Sequence, residues 1–77
     1  MTISEDSPEP AYVQLAAIIR GRIKAGEITG ALPSLRTLQE TYGLGQFAVM
    51  HALRALADEG LIFSVPRRGW YVRQGDA

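Results

Sequence analysis

The chain has no cysteine and only one histidine, His51, in 77 residues, which excludes a disulfide framework and any thiolate zinc site. One histidine and scattered carboxylates also give no nucleophile–base pairing, no metal-ligand spacing and no Gly-rich phosphate loop. The sequence therefore argues against an enzyme and calls for neither a cofactor nor a metal. No apolar run reaches the ~18–20 residues needed to cross a bilayer, and the opening MTISEDSPEP is acidic where a secretory signal is basic and then apolar. The expected location is the cytoplasm, with no membrane partner. Net charge is lacking too: eight Lys and Arg balance eight Asp and Glu. That at first counts against nucleic acid, where Lys and Arg on phosphate supply most of the non-specific affinity. The distribution alters the picture. Glu5, Asp6, Glu9 and Asp76 lie in the terminal segments, so residues 11–73 keep eight basic against four acidic side chains, a surplus of four. Such a surplus is common in proteins that never touch DNA and decides little by itself.

What the chain does have is clear punctuation. Its length is near the lower limit for a single apolar core without crosslinks, so one domain is expected. Residues 1–9 are polar, acidic and broken by Pro8, and read as a disordered arm. Residues 10–73 read as the folded domain and 74–77 as a polar tail. Pro10 suits a helix start, and Tyr12, Leu15, Ala16, Ile19 and Ile23 form the buried stripe of a helix ending at Gly26. Arg20 and Lys24 then face solvent. Val13 and Ile18 fall off the stripe, either partly covered by loops or forming a small dimer patch. In the connection EITGAL (27–32), Ile28 can seed a brief strand.

The stretch 32–60, LPSLRTLQETYGLGQFAVMHALRALADEG, reads as two helices broken by one tight turn. Ser34 is the cap of the first, Leu35, Leu38 and Tyr42 its inner face, and Gly43 its left-handed stop, after which Leu44 turns inward. Gly45 starts the next helix, whose inward stripe is Val49, Ala52, Leu53 and Leu56. Phe47, Met50, His51, Arg54 and Asp58 fall on the opposite face, and Gly60 ends the helix. The apolar period then drops to 2: LIFSV (61–65) and WYVR (70–73) flank PRRG (66–69), a hairpin signal with Arg67 and Arg68 at the tip. The expected fold is mainly α with a small β-hairpin wing, a three-helix winged helix-turn-helix.

In a DNA-binding helix-turn-helix the outward face of the second helix enters the major groove. That makes Gln46, Phe47, Met50, His51 and Arg54 candidate contacts. Arg36, on the outer side of the preceding helix, is another, weighed against a plain solvated arginine. The wing residues Arg67 and Arg68 can reach backbone or minor groove. Ser34 is first a cap and only secondarily a phosphate contact, and His51 is read as solvated before it is read as a phosphate ligand. Trp70 and Tyr71 are assigned to packing rather than base stacking. The rival to DNA is a protein-interaction module, because Phe47 and Met50 are large apolar groups at i and i+3 on a face that should be wet.

Taken together, these residues resemble the N-terminal DNA-binding domain of the GntR family of bacterial transcription regulators. The resemblance rests on Pro10, Tyr12, Gln14 and Leu15; on Gly26-Glu27-Ile28; and on Leu32-Pro33-Ser34 with Arg36 and Leu38. It continues through Val49, Ala52-Leu53, Leu56 and Glu59-Gly60-Leu61-Ile62 to Arg68-Gly69 and Tyr71-Val72. It implies a homodimer on double-stranded operator DNA, Arg36 on phosphate or base edge, the start of the third helix in the major groove, and Gly69 close to the minor groove. Five residues at the start of the third helix depart from the family, and with them three of its strongest usual contacts. Gly45-Gln46 stands where a small hydroxyl residue and arginine are usual, Phe47-Ala48 where two threonines are, and Met50 where a second arginine is. Gln46 can still pair bidentately with adenine, and Phe47 or Ala48 can meet a thymine methyl, but the arginine-to-guanine pairing is gone. The connection 27–32 is also shorter than the family's, which weakens the first wing strand. No effector-binding domain follows in these residues. Met1 and the polar finish after Arg73 favour a stand-alone regulator over an excised piece.

Overall fold

The computed structural model describes residues 3, 6 and 8–73. The tail 74–77 and most of the acidic arm 1–9 therefore lie outside the described residues; within the arm, Ile3 is half-buried against the core. Pro10, extended at φ −58° and ψ 152°, leads into helix α1, Ala11–Lys24. Its carbonyl accepts from the Val13 and Gln14 amides, so the proline flanks the helix rather than forming its first residue. The turn closes when Gly26 takes φ +80° and the Glu27 amide reaches back to the Arg22 carbonyl, giving an end one to two residues earlier than the sequence suggests. Leu15, Ala16 and Ile19 bury the expected stripe. Of the two readings for Ile18 the structure favours cover: only 5% exposed, it offers little to a dimer patch.

Helix α2, Leu35–Tyr42, begins as its cap dictates, with Ser34 Oγ accepting from the Thr37 amide at 3.1 Å. Gly43 ends it at φ 66° and ψ 33°, both the Gly43 and Leu44 amides donating to the Gln39 carbonyl. Glycine is favoured here because that left-handed geometry strains a residue that carries a Cβ. Leu44 turns back and packs against the core. Helix α3, Gln46–Asp58, follows, burying Val49, Ala52, Leu53 and Leu56. Packed chiefly on α1, it completes a core with Leu15, Ile19, Leu32, Leu38 and Ile62, and among the described residues no polar or charged side chain is buried. Each large aliphatic side chain so buried contributes roughly 1.5–3 kcal/mol.

After Gly60, strands β1 (Ile62–Val65) and β2 (Gly69–Val72) pair antiparallel, Ile62 opposite Val72 and Val65 opposite Gly69. Ile62 and Val72 point into the core, as period-2 alternation requires. Ile28 starts no strand. The third wing element is instead a single bridge at Ala31 opposite Tyr71, where the Leu32 amide donates to the Trp70 carbonyl and the Val72 amide to the Gly30 carbonyl, both at 2.8 Å. The short connection leaves room for only that one pairing.

At the hairpin tip, the Arg68 amide donates to the Val65 carbonyl across Pro66 and Arg67. Proline presets the first turn position, but Arg67 takes the next at φ 66°, where glycine or asparagine is usual. Arg67 is the one non-glycine residue with positive φ among the described residues, and Cβ crowding there costs about 1 kcal/mol. Arg67→Gly removes that strain but adds freedom to the unfolded chain, so it should raise stability by somewhat less than ~1 kcal/mol. Thermal unfolding of the variant checks this, and a lower Tm for the glycine form would refute it.

Candidate nucleic-acid interface

Because α3 turns Val49, Leu53 and Leu56 inward, the other side of the same helix is held outward by the core itself. Gln46, Phe47, Met50, His51 and Arg54 line one shallow groove there. Phe47 is 87% exposed, Met50 is half-buried, and Gln46, His51 and Arg54 are exposed. The helix begins at Gly45 without a side-chain cap, which leaves its first-turn amides to solvent or an anion. His51 is not simply solvated. Its ring lies flat on that of Tyr12 from α1, with centroids 3.6 Å apart and planes 7° from parallel. That stack fixes the imidazole at the groove edge and brings α1 to the rim.

On α2, Ser34 is committed to capping: besides accepting from the Thr37 amide, its hydroxyl donates to Thr37 Oγ1 at 2.9 Å. The Arg36 side chain is 87% exposed, and its Nε lies 3.3 Å from Glu40 Oε2 one turn on. Such an exposed i,i+4 pair contributes ~0.3–0.5 kcal/mol, little enough for the guanidinium to exchange it for a phosphate. At the hairpin tip Arg67, Arg68 and Gly69 are all exposed, and Gly69 sits at φ 102°, a conformation that excludes a side chain. The ten residues singled out in the sequence thus stand in three groups on α2, α3 and the wing. The α3 five line one groove together.

Three contacts escaped the sequence reading besides the Tyr12–His51 stack. On the outer face of the wing, Phe63 and Tyr71 are cross-strand partners with ring centroids 6.1 Å apart, and the Arg73 guanidinium lies 5.5 Å over the Phe63 ring. The strand register would have shown these, had it been fixed by sequence. Behind the groove, Arg20 is not free in solvent: its Nε donates to Glu59 Oε1 at 2.8 Å and a terminal nitrogen donates to the other oxygen, pinning α1 to the end of α3.

This bidentate pair holds the Glu59 carboxyl below its ordinary range, chiefly through the Arg20 hydrogen bonds, and raises Arg20 in turn. A carboxyl depressed in the folded state stabilises the fold above the unfolded value, and that contribution disappears as pH falls through the folded value. Below about pH 4.3 the wild type should therefore lose stability more steeply than Glu59→Gln. Tm measured against pH tests it, and parallel curves would show the pair has no role in acid unfolding. Both side chains are about one-third exposed (32% and 38%), so solvent screening keeps the effect small.

Three helices, an outward-facing second helix after the turn and a hairpin with a basic tip define a winged helix-turn-helix, a DNA-binding architecture. Residues 11–72 match the family described as bacterial regulatory proteins, gntR family, and the chain belongs to it. It is 36% identical over 74 residues to the HTH-type transcriptional repressor NagR of Bacillus subtilis (strain 168), a match covering 94% of this chain and 30% of NagR. With the mannosyl-D-glycerate transport/metabolism system repressor MngR of Escherichia coli (strain K12) it shares 35% over 68 residues, 86% of this chain and 28% of MngR. The chain thus spans less than a third of these curated relatives.

Among solved structures, YtrA from Sulfolobus acidocaldarius, a GntR-family transcription factor, superposes with a TM-score of 0.86 at 34% identity, covering 97% of this chain and 81% of that one. The DNA-binding domain of AraR, solved in complex with operator ORX1, gives 0.85 at 25% identity over 95% of this chain and 93% of that one. The family consists of transcription regulators rather than enzymes. Among the described residues no helix is long and apolar enough to cross a membrane, and no group of three or more His, Cys, Asp or Glu could hold a metal ion.

Proposed function

We propose that this chain binds operator DNA as a transcription regulator, with the outward face of α3 in the major groove and the Arg67-Arg68-Gly69 tip at the adjacent backbone or minor groove. Arg36 serves as a phosphate or base-edge contact from the first turn of α2. Two copies meet on an operator with two half-sites. The observation that carries this reading is the α3 groove: five outward side chains from Gln46 to Arg54 on a helix whose opposite face is locked into the core. The operator-bound AraR domain, of the same fold at 25% identity, supports it. So does Arg67, whose strained backbone fits a tip kept for contact rather than for stability.

Selection of duplexes from a randomised pool at low and moderate salt tests the reading. A specific duplex should be enriched, with two chains bound per duplex and a shallow salt slope of about −0.9 per neutralised phosphate. If nothing is enriched at low salt, the DNA reading fails. A second reading is favoured by one observation, the 87% exposure of Phe47 beside Met50: the same face docks a protein partner. On that reading, Phe47→Ala leaves DNA affinity unchanged and abolishes self-association or pull-down of a partner.

A further inference from the structure

We infer, building on the DNA-binding reading, that the first two turns of α3 read thymine by its methyl group, Phe47 and Met50 packing on the 5-methyls of neighbouring thymines. The operator bases beneath that end of the helix are then A·T pairs. A helix-turn-helix presents the N-terminal residues of its second helix to base edges, and here those residues carry no cation. From Gln46 to Leu53 there is no Lys or Arg, and Arg54 stands about 12 Å farther along the axis at 1.5 Å per residue. The arginine or lysine that pairs bidentately with guanine O6 and N7 is therefore absent from the leading turns, where the donors left are the Gln46 amide and the His51 ring.

What occupies them instead is an aromatic ring at 87% exposure, a half-buried methionine three residues on, and an exposed amide at Gln46. None of the residues lining this groove is a carboxylate, the face's own Asp58 standing beyond Arg54 at the far end of the helix. The thymine methyl is the apolar group the major groove offers a ring and a thioether, and the paired adenine offers N6 and N7 to a glutamine amide. Phe47 and Met50 lie on one face about 4.5 Å apart along the helix axis, close to the roughly 3.4 Å step between bases of one strand. One side chain per successive base fits that spacing.

The test uses the full chain and the duplex it selects from a randomised pool, with each thymine replaced singly by deoxyuridine. This exchange deletes one methyl and keeps every hydrogen bond, so it needs no protein variant that could misfold. At one or two positions the wild type should bind the deoxyuridine duplex about fourfold more weakly, the equivalent of one buried methyl at ~0.8 kcal/mol. Phe47→Ala should bind the thymine and deoxyuridine forms of its position equally. A selected duplex whose affinity is unchanged by every deoxyuridine, or one with G·C under the leading turns, overturns this inference and leaves the DNA-binding reading standing. Failure to select any duplex overturns both and points to the protein-docking use of the same face.

Discussion

Leu53→Ala should lower the melting temperature by about 10–30 °C. Leu53 is fully buried on the inner face of α3, in the cluster that joins this helix to α1, α2 and the hairpin. Truncating a buried leucine removes its transfer free energy and leaves a cavity whose walls relax only in part, at ~2–5 kcal/mol in sum. A 77-residue domain holds only about 4–12 kcal/mol against unfolding, and each kcal/mol moves Tm by roughly 4–8 °C at this size. One side chain therefore commands a large share of the total. Phe47→Ala, at a side chain 87% exposed, is the control: it should leave Tm within a few degrees, since surface substitutions usually stay within ~0.5 kcal/mol. Differential scanning calorimetry on both variants checks the pair. A large fall for Phe47→Ala and none for Leu53→Ala would mean that α3 presents the opposite face to the one described, and the candidate interface would fall with it.

The parts of the fold that depend on local chemistry were legible in the sequence. Ser34 caps because a serine hydroxyl reaches the third amide of its own helix; Gly43 and Gly60 stop helices because their φ values of 66° and 82° exclude most side chains; and Val49, Ala52, Leu53 and Leu56 recur at helical spacing. The parts that depend on which distant element arrives were not. Tyr12 and His51 are 39 residues apart, as are Arg20 and Glu59. Neither pairing carries any periodic signal, so a stacked histidine read as solvated and a paired arginine as free. Ala31, rather than Ile28, meets β2 because the register is set by Trp70 and Val72 accepting and donating across the sheet, and nothing in the 27–32 segment encodes that choice. Ile18 lies off the α1 stripe yet is 5% exposed, a reminder that a helix on which other elements pack buries more than one face. For the candidate interface, the outward set on α3 followed from its inward set. How that set sits relative to α2 and the wing came only from the fold.

Replacing Arg67 and Arg68 together by alanine should weaken DNA binding by roughly 60-fold at 0.1 M salt and by almost nothing near 1 M. Each guanidinium that neutralises a phosphate releases condensed counterions and contributes about 0.9 to the salt slope, so two contacts contribute about 1.8, or some 60-fold per decade of salt. The fold should survive the change: both residues are exposed, and alanine at position 67 keeps the same Cβ strain at positive φ that arginine bears. That separates this variant from Arg67→Gly, which relaxes the turn. Because contacts to phosphate position the protein without reading bases, selected and unrelated duplexes should lose affinity by similar factors. Titration of wild type and double variant against both duplexes, at three salt concentrations, gives the slope difference directly. If the slopes are equal, the wing tip does not touch the backbone. If the loss falls only on the selected duplex, these arginines read base edges in the minor groove, and sequence choice is shared between the wing and α3.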